Sequence, residues 1–587
     1  TYNHKLLAVT TLSYELRFDG TYMNATYKEI DDLASDLSKI FKNKSKNEYL
    51  EDLRTAQNKK YFLLKRDVSL QEIKALKKTQ FYKKPLHGGL IIKEDKIRKK
   101  PNLNSAARTI GDLFKENQAP IYGLEYSYNS DLVGKNGKHL VLHEPGLDRK
   151  INSTSNIEPE PGKDLITTIE LSYQDILEQA LLRQLEKYEA NFGTAILMEV
   201  KSGKIKAISN LQKNEFNKYS ETLNFGVTHQ IEPGSTFKLA SIMAYLEDYN
   251  GDINDTIDCK NGRYKFKGAS IPTIDHHKLG QVSLKEAFAH SSNIGVARLI
   301  TKHYNKNPEA FINRLYNFGL GEKSKIDLTG VPKPDIKSPS EKSWSGVSLP
   351  WISYGYEISL TALDILTFYN TIANNGYLIH PYLGYALQDG SVINHIQRDT
   401  TKYHRICSEE TIIQTTNLLR EVVQSGTGKS LIDLPFFVSG KTGTSVKNYG
   451  TNVDREYQAS FVGFFPSNDP KYSCIVLIDT PNKETGFYGS QVAMPAFKEI
   501  ANNIYRQEGL RWNNLYLDNV VKLNSHFSDF SSNYDTLKNS MLNKHYPSVV
   551  GMHLRDAVFF LEKTGYKVII EGDLGTVKKQ YPKANTS

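Results

Sequence analysis

One junction constrains this chain more than any other stretch: Glu232-Pro233-Gly234-Ser235-Thr236-Phe237-Lys238. Pro233-Gly234 is a turn signal, and Phe237, Leu239, Ala240, Ile242, Met243 and Leu246 then recur as on a buried helix. Ser235 therefore falls at or just inside a helix N-terminus. Residues i and i+3 share a helix face, so the Lys238 amine is expected beside the Ser235 hydroxyl. A serine hydroxyl is a weak nucleophile until a base takes its proton. A lysine whose pKa is lowered by desolvation can be that base. The helix N-terminus adds backbone N–H groups and a field that favours a developing oxyanion.

Alone, this pattern is weak and reads first as an N-cap serine followed by a solvated lysine. Two later stretches change the balance. Ser291-Ser292-Asn293 lies between a helical stretch from Ser283 to Phe288 and a helix from Ile294 to about His303. Lys441-Thr442-Gly443-Thr444 ends a strand that begins near Phe436. Strand alternation puts Lys441 and Gly443 on one face and Thr442 and Thr444 on the other, unless a bulge at Gly443 intervenes. Gly443 leaves room for a substrate backbone. Read singly, Ser291 is an N-cap, the Lys441 stretch an edge strand with a solvated lysine, and His290 structural. Together and in this order, S-x-x-K, S-x-N and K-T-G form the motif set of penicillin-binding proteins and serine β-lactamases, with Ser292 in place of the central Asp.

The 587 residues suggest two to four domains, and 39% hydrophobic with 24% charged residues fits a globular chain with a sizeable core. The net charge of +9 suits proximity to anionic polymers or lipid headgroups and does not call for nucleic acid. The densest basic run, Lys96 to Lys100, reads as a solvated face or loop. The three cysteines, Cys259, Cys407 and Cys474, are widely spaced and form no CxxC, so neither a metal site nor a disulfide framework is implied. No apolar run is long enough to span a bilayer.

Along the chain, a charged helical pattern runs from Ile30 to Ile40 and on to Leu53. Strand-like segments follow at Gly89–Ile92, Gly123–Tyr126 and Asp131–Gly134. This region shows no acid–base constellation. Residues 147–163 read as a linker. Beyond it, a strand at Asp164–Ile169, a helix from about Tyr173 to Tyr188 and a hairpin at Thr194–Ile208 open a domain. Helices at Ala362–Asn374, Glu409–Gln424 and Pro495–Tyr505, with strands at Ala459–Phe465 and Ser473–Asp479, complete an α+β domain. Polar residues 506–545 look like a connector, and the tail from Tyr546 like a small module with a helix (Leu554–Thr564) and a strand (Tyr566–Ile570).

With these residues in view, the chain resembles a class B penicillin-binding protein, a monofunctional peptidoglycan D,D-transpeptidase. The wider pattern is carried by Ala373-Asn374-Asn375-Gly376, Gly426-Thr427-Gly428, Gly440–Thr444 and Phe461–Pro466. It departs at Glu170 and Tyr173, where the family commonly has Asp and Leu. The resemblance implies a multidomain α+β fold. A dimerisation-type pedestal would cover 1–150, a linker 151–163, the transpeptidase domain 164–506, a connector 507–545, and a PASTA-like module, short of full length, 546–587. It implies Ser235 as nucleophile, Lys238 as base, Ser291 and Asn293 in proton relay and substrate positioning, and Lys441 as positive charge near the substrate carboxylate. Thr442, Gly443 and Thr444 would bind substrate, and the backbone N–H groups of Ser235 and Thr444 would form an oxyanion hole. No cofactor or metal is implied. The expected partners are peptidoglycan stem peptides, β-lactams, and a glycosyltransferase with other cell-wall synthesis proteins. The pedestal and tail are more like those of division-associated members, which implies septal cross-linking. The expected place is the bacterial membrane, through a single N-terminal anchor outside this chain, with the catalytic domain extracytoplasmic. Elongation-type cross-linking, a serine β-lactamase, a non-catalytic β-lactam sensor and a silent divisome scaffold are the alternatives.

Overall fold

Three Ser/Thr-x-x-Glu stretches start the helices of the N-terminal region. Thr26 with Glu29, Ser45 with Glu48 and Ser69 with Glu72 each form a reciprocal capping box on α1 (Tyr27–Phe41), α2 (Lys46–Ala56) and α3 (Leu70–Leu76). Each cap contributes about 1 kcal/mol. These helices pack on an antiparallel sheet of order β2-β1-β3, made of β1 (Val9–Phe18), β2 (Phe62–Val68) and β3 (Leu90–Lys99). Leu16, Phe18, Leu33, Leu37, Tyr49 and Leu53 sit in a core of its own. The computed structural model describes residues 1–508 except 2, 4, 23–24, 103–104, 115–117, 145–146, 152–154, 399–404 and 448–453, together with 548–550, 557, 561, 568–569 and 577–582.

Several expectations for this region are corrected. The helical pattern from Ile30 to Leu53 breaks at Lys42, whose φ is 55°, because Ser45 caps a new helix. The basic run belongs mostly to strand β3, where Arg98 donates to Glu125 (2.7 Å), and just beyond it Lys100 donates to Asp112 (2.5 Å). Gly123–Ser127 is a short helix, not a strand, and Asn129–Leu132 is helical too. Within the expected linker, Leu147–Ile151 pairs with Leu140–Glu144 as a hairpin.

The joint to the second domain is α4 (Ala107–Ile110) and the residues before it. Glu178 accepts hydrogen bonds from the Ser105 hydroxyl (3.1 Å) and the Ala106 N–H (3.2 Å). Glu221 accepts from the Arg108 N–H (2.8 Å) and the Asn210 N–H (3.2 Å). Burial pushes the Glu221 carboxyl up to about 8, with the Glu178 charge adding to it, and raises Glu178 as well. Ala106, Ile110 and Leu124 join the apolar core of the second domain.

That domain is built on one six-stranded sheet. Its strands are β4 (Phe192–Glu199), β5 (Ile205–Lys213), β6 (Tyr219–Ser220), β7 (Ser439–Lys447), β8 (Glu456–Phe465) and β9 (Tyr472–Asp479), in the order β7-β8-β9-β4-β5-β6. Every residue of β9 is buried, as expected of a central strand covered on both faces. It pairs with β4 through Ile475 opposite Ile196. On one face lie α5 (Leu171–Lys187) and the C-terminal helix Met494–Glu508, whose Phe497 meets Phe461 edge-on at 4.6 Å. The other face receives the buried helix Ala362–Ala373, where Asn370 bonds Val200 O (3.1 Å) and accepts from Ser473 (2.7 Å). Helix Glu409–Gln424 spans the residues expected of it. β7 is an edge strand in unbroken register with β8, so no bulge forms at Gly443.

Residues Thr1–Ile504 form one unit and Tyr505–Ser587 another. The expected connector, 507–545, lies outside the described residues except 507 and 508. The tail helix Leu554–Thr564 and strand Tyr566–Ile570 also lie outside them except for isolated positions. Within that unit Val549 and Ala557 are buried, with Leu561 and Val577 against them. Among the described residues, no helix is long and apolar enough to cross a membrane.

Candidate active site

The turn that carries Ser235 is narrower than expected. Gly234–Thr236 form a 3-10 turn, and the α-helix begins at Lys238 and runs to Tyr249. Gly234 has φ +55°, and a Cβ there would lie 2.9 Å from the Thr444 carbonyl oxygen, so the turn is pressed against β7. Its N–H bonds the Gly355 carbonyl (3.1 Å). Tyr369 pins the far side by donating to the Thr236 carbonyl (2.8 Å). Ser235 is left half-buried, and its hydroxyl bonds no described residue.

Lys238 does not bond Ser235 in this state. Its amine turns to the S-x-N turn, donating to the Ser291 carbonyl (2.5 Å) and hydroxyl (3.1 Å). Ser291 adopts φ +59°, a left-handed conformation rare for a side chain other than Gly or Asn. That conformation carries its hydroxyl between two amines, because Lys441 donates to the same oxygen at 2.9 Å. Both lysines are 0% exposed. Burial pushes the Lys238 pKa down to about 7, with the Asp275 carboxylate pulling the other way. Burial, then the charge of Lys238, holds the Lys441 amine well below its usual range. Two like charges in a dry site disfavour each other, so the pair favours shedding a proton. Lys238 is thereby suited to accept one near neutral pH.

The rest of the β7 motif braces this arrangement. Lys441 also donates to the Thr442 carbonyl (3.2 Å) and lies 5.6 Å from the centre of the Phe288 ring. The Thr442 hydroxyl meets that of Thr427 at 2.8 Å. Thr444 is half-buried and accepts from the Gly489 N–H (3.1 Å). Gly443 is required by packing, since a Cβ there would fall 2.2 Å from the Ser460 hydroxyl and 2.9 Å from Thr236 Cγ2. Asn293 opens helix Asn293–Tyr304, half-buried, and its side chain bonds no described residue.

The fold thus gathers the S-x-x-K, S-x-N and K-T-G stretches at one cleft. Ser292, not Ser291, caps the helix after the S-x-N turn. His290 faces His277 at 4.9 Å. Sequence reasoning missed Asp275, whose carboxylate accepts from Ser292 (2.6 Å), the Asn293 N–H (2.9 Å) and the Ile294 N–H (3.2 Å). Only a polar Asp-His-His run in a loop marked it. Thr427 lay in the quoted Gly-Thr-Gly stretch, but nothing in the sequence assigned it a partner. Among the described residues, no three His, Cys, Asp or Glu side chains gather as a metal site.

Comparison with known proteins matches three domains along the chain. Residues 193–502 match the penicillin binding protein transpeptidase domain, 1–167 the penicillin-binding protein dimerisation domain, and 545–587 the PASTA domain. The probable peptidoglycan D,D-transpeptidase PenA of Neisseria gonorrhoeae is 26% identical over 64% of the chain. The chain spans 63% of that relative's length. The peptidoglycan D,D-transpeptidase FtsI of Buchnera aphidicola subsp. Schizaphis graminum is 28% identical, covering 78% of this chain and 77% of its own. The crystal structure of a peptidoglycan synthetase from Bifidobacterium adolescentis superposes with a TM-score of 0.64 at 18% identity, over 87% of this chain and 94% of that one, and so shares the fold.

Proposed function

The chain belongs to the penicillin-binding protein transpeptidase family, and on that premise we propose that it is a peptidoglycan D,D-transpeptidase working through a Ser235 acyl-enzyme. The observation that carries this reading is the Ser291 hydroxyl held between the buried amines of Lys238 and Lys441, with Ser235, three residues before Lys238, bonding no described residue through its hydroxyl. Ser235 Oγ attacks the carbonyl between the two D-Ala residues of a stem peptide, and Lys238 takes its proton. The apo spacing of these two groups closes when substrate fills the cleft. The tetrahedral oxyanion receives the N–H groups of Ser235 and Thr444. Through Ser291 the proton passes to the leaving amine, terminal D-Ala departs, and an ester to Ser235 remains. An amine from a neighbouring stem peptide attacks that ester, giving the cross-link and restoring the serine. Asn293 holds the donor's amide.

Lys441 and the Thr442 and Thr444 hydroxyls receive the donor carboxylate. In the empty site burial disfavours a charge on Lys441; an arriving carboxylate supplies the counter-charge that lets it protonate. In this reading residues 164–506 carry the chemistry, 151–163 link them to a pedestal over 1–150, and 507–545 connect to a PASTA-like module over 546–587. In this reading the cross-linking is septal, outside the cytoplasmic membrane and beside a glycosyltransferase partner; the dimerisation-domain and PASTA-domain matches at the two ends of the chain support it. β-Lactams, as donor mimics, acylate Ser235.

The test is incubation with a fluorescent penicillin, peptide mapping of the adduct, and a Ser235→Ala control. A stable adduct on Ser235, absent from the variant, is the expected result. A folded chain without adduct sinks the assignment, and fast drug turnover makes it a β-lactamase.

A further inference from the structure

Asp275 lies behind the S-x-N turn, 17 residues before Ser292 in sequence. Its carboxylate spends both oxygens on that turn: Oδ2 accepts from the Ser292 hydroxyl and the Ile294 N–H, and Oδ1 accepts from the Asn293 N–H. It is buried, and no cation forms an ion pair with it among the described residues. A buried carboxylate without a paired cation is costly unless something nearby needs its charge. The group that needs it is the buried Lys238 amine, which meets Lys441 at Ser291 Oγ and whose charged form the Asp275 carboxylate favours. The same bonds anchor the residues that follow Ser291, whose left-handed backbone presents the shared hydroxyl.

Resting on the transpeptidase reading above, we propose that Asp275 is a positioning residue of the reaction. It supplies, from a distant loop, the anion that the S-x-N turn lacks at Ser292, and it holds Ser291 and the Lys238–Lys441 pair in working register. Lys238 is faced by Lys441, Asp275 and the Cys259 thiol; Asp275 is faced by Cys259 and by His277, which itself neighbours His276 and His290. Removing the anion leaves the Lys238 amine more averse to protonation, so it becomes a free base at lower pH.

The experiment is the pH profile of the second-order rate of acylation by a fluorescent penicillin, on the whole chain, with thermal melting as the check on folding. The wild-type rate rises with pH as Lys238 loses its proton. Asp275→Asn is expected to shift that acid limb downward by roughly half to one pH unit and to lower the plateau about tenfold or more. Ser292→Ala removes the hydroxyl's bond to Asp275 and its cap on the Gly295 N–H but keeps the charge, so its plateau falls while its limb stays. The downward shift must persist in a His277→Gln background, where the nearest other titrating ring is gone. An unshifted limb in folded Asp275→Asn overturns the proposal, as does an equal shift in Ser292→Ala. If Asp275→Asn does not fold, Asp275→Ser takes its place, since its hydroxyl can still accept from the turn. Loss of fold in both makes Asp275 purely structural and also overturns the proposal. Absence of any adduct in the wild type is a different outcome: it strikes the transpeptidase reading itself.

Discussion

The molecule pairs ionisable groups of like kind at two places and uses them differently. In the cleft, Lys238 and Lys441 share one hydroxyl and have no ion pair among the described residues, while the Ser235 hydroxyl bonds none of those residues. At the joint, Glu178 and Glu221 accept hydrogen bonds from the segment Ser105–Arg108. The amines bond to a side chain that moves a proton in the proposed reaction; the carboxylates bond largely to backbone that must stay put. Burial in the cleft therefore tunes reactivity, whereas burial at the joint ties one domain to the next.

The sharpest way to break that contrast is Lys238→Ala. It is expected to slow acylation by roughly a thousandfold or more, by loss of the base, while leaving the melting temperature close to wild type. A large drop in melting temperature would make the lysine a structural element like the acids. Ser291→Ala comes next, with about a hundredfold slower acylation, since both amines lose their shared partner. Glu221→Ala should do the reverse. Freeing the Arg108 and Asn210 N–H groups costs about 1–3 kcal/mol in denaturant unfolding, with acylation within twofold of wild type. The smallest effect is on pH. The folded-state pKa of Glu221 is raised from 4.5 to about 8, so its contribution to stability is fully present below about 4.5 and is lost as pH rises toward 8. Melting scanned across that window should fall less steeply in Glu221→Gln than in wild type. Parallel curves would remove the acids from the account.

Much of the cleft was legible because short-range rules governed it. The i, i+3 pair at Ser235 and Lys238, the alternation along Lys441–Thr444 and the apolar run of β9 needed only local periodicity. What stayed hidden depended on distant chain. Asp275 reaches the S-x-N turn across a loop, and no spacing rule joins it to Ser292. The left-handed backbone at Ser291 is dictated by what its hydroxyl must reach, not by a glycine that would announce it. Lys238 turned from its helix neighbour toward Ser291 because the tertiary fold offered a closer partner. In the N-terminal region the break at Lys42 carries no Gly or Pro, so a continuous helix was the natural reading until the Ser45 cap came into view.

The pairing of β4 with β9, Ile196 against Ile475, also sets an order of events during synthesis. The chain emerges with Ser235 and Lys238 already made, yet β7, which carries Lys441, reaches the sheet only through β8 and β9. A nascent chain stopped before Tyr472 holds Ser235 and Lys238 without the strand pairing that seats the opposing amine. Such contacts, distant in sequence, form late. On the proposed reading, the growing protein is therefore blind to donor peptide and to β-lactam alike until its last strand is home.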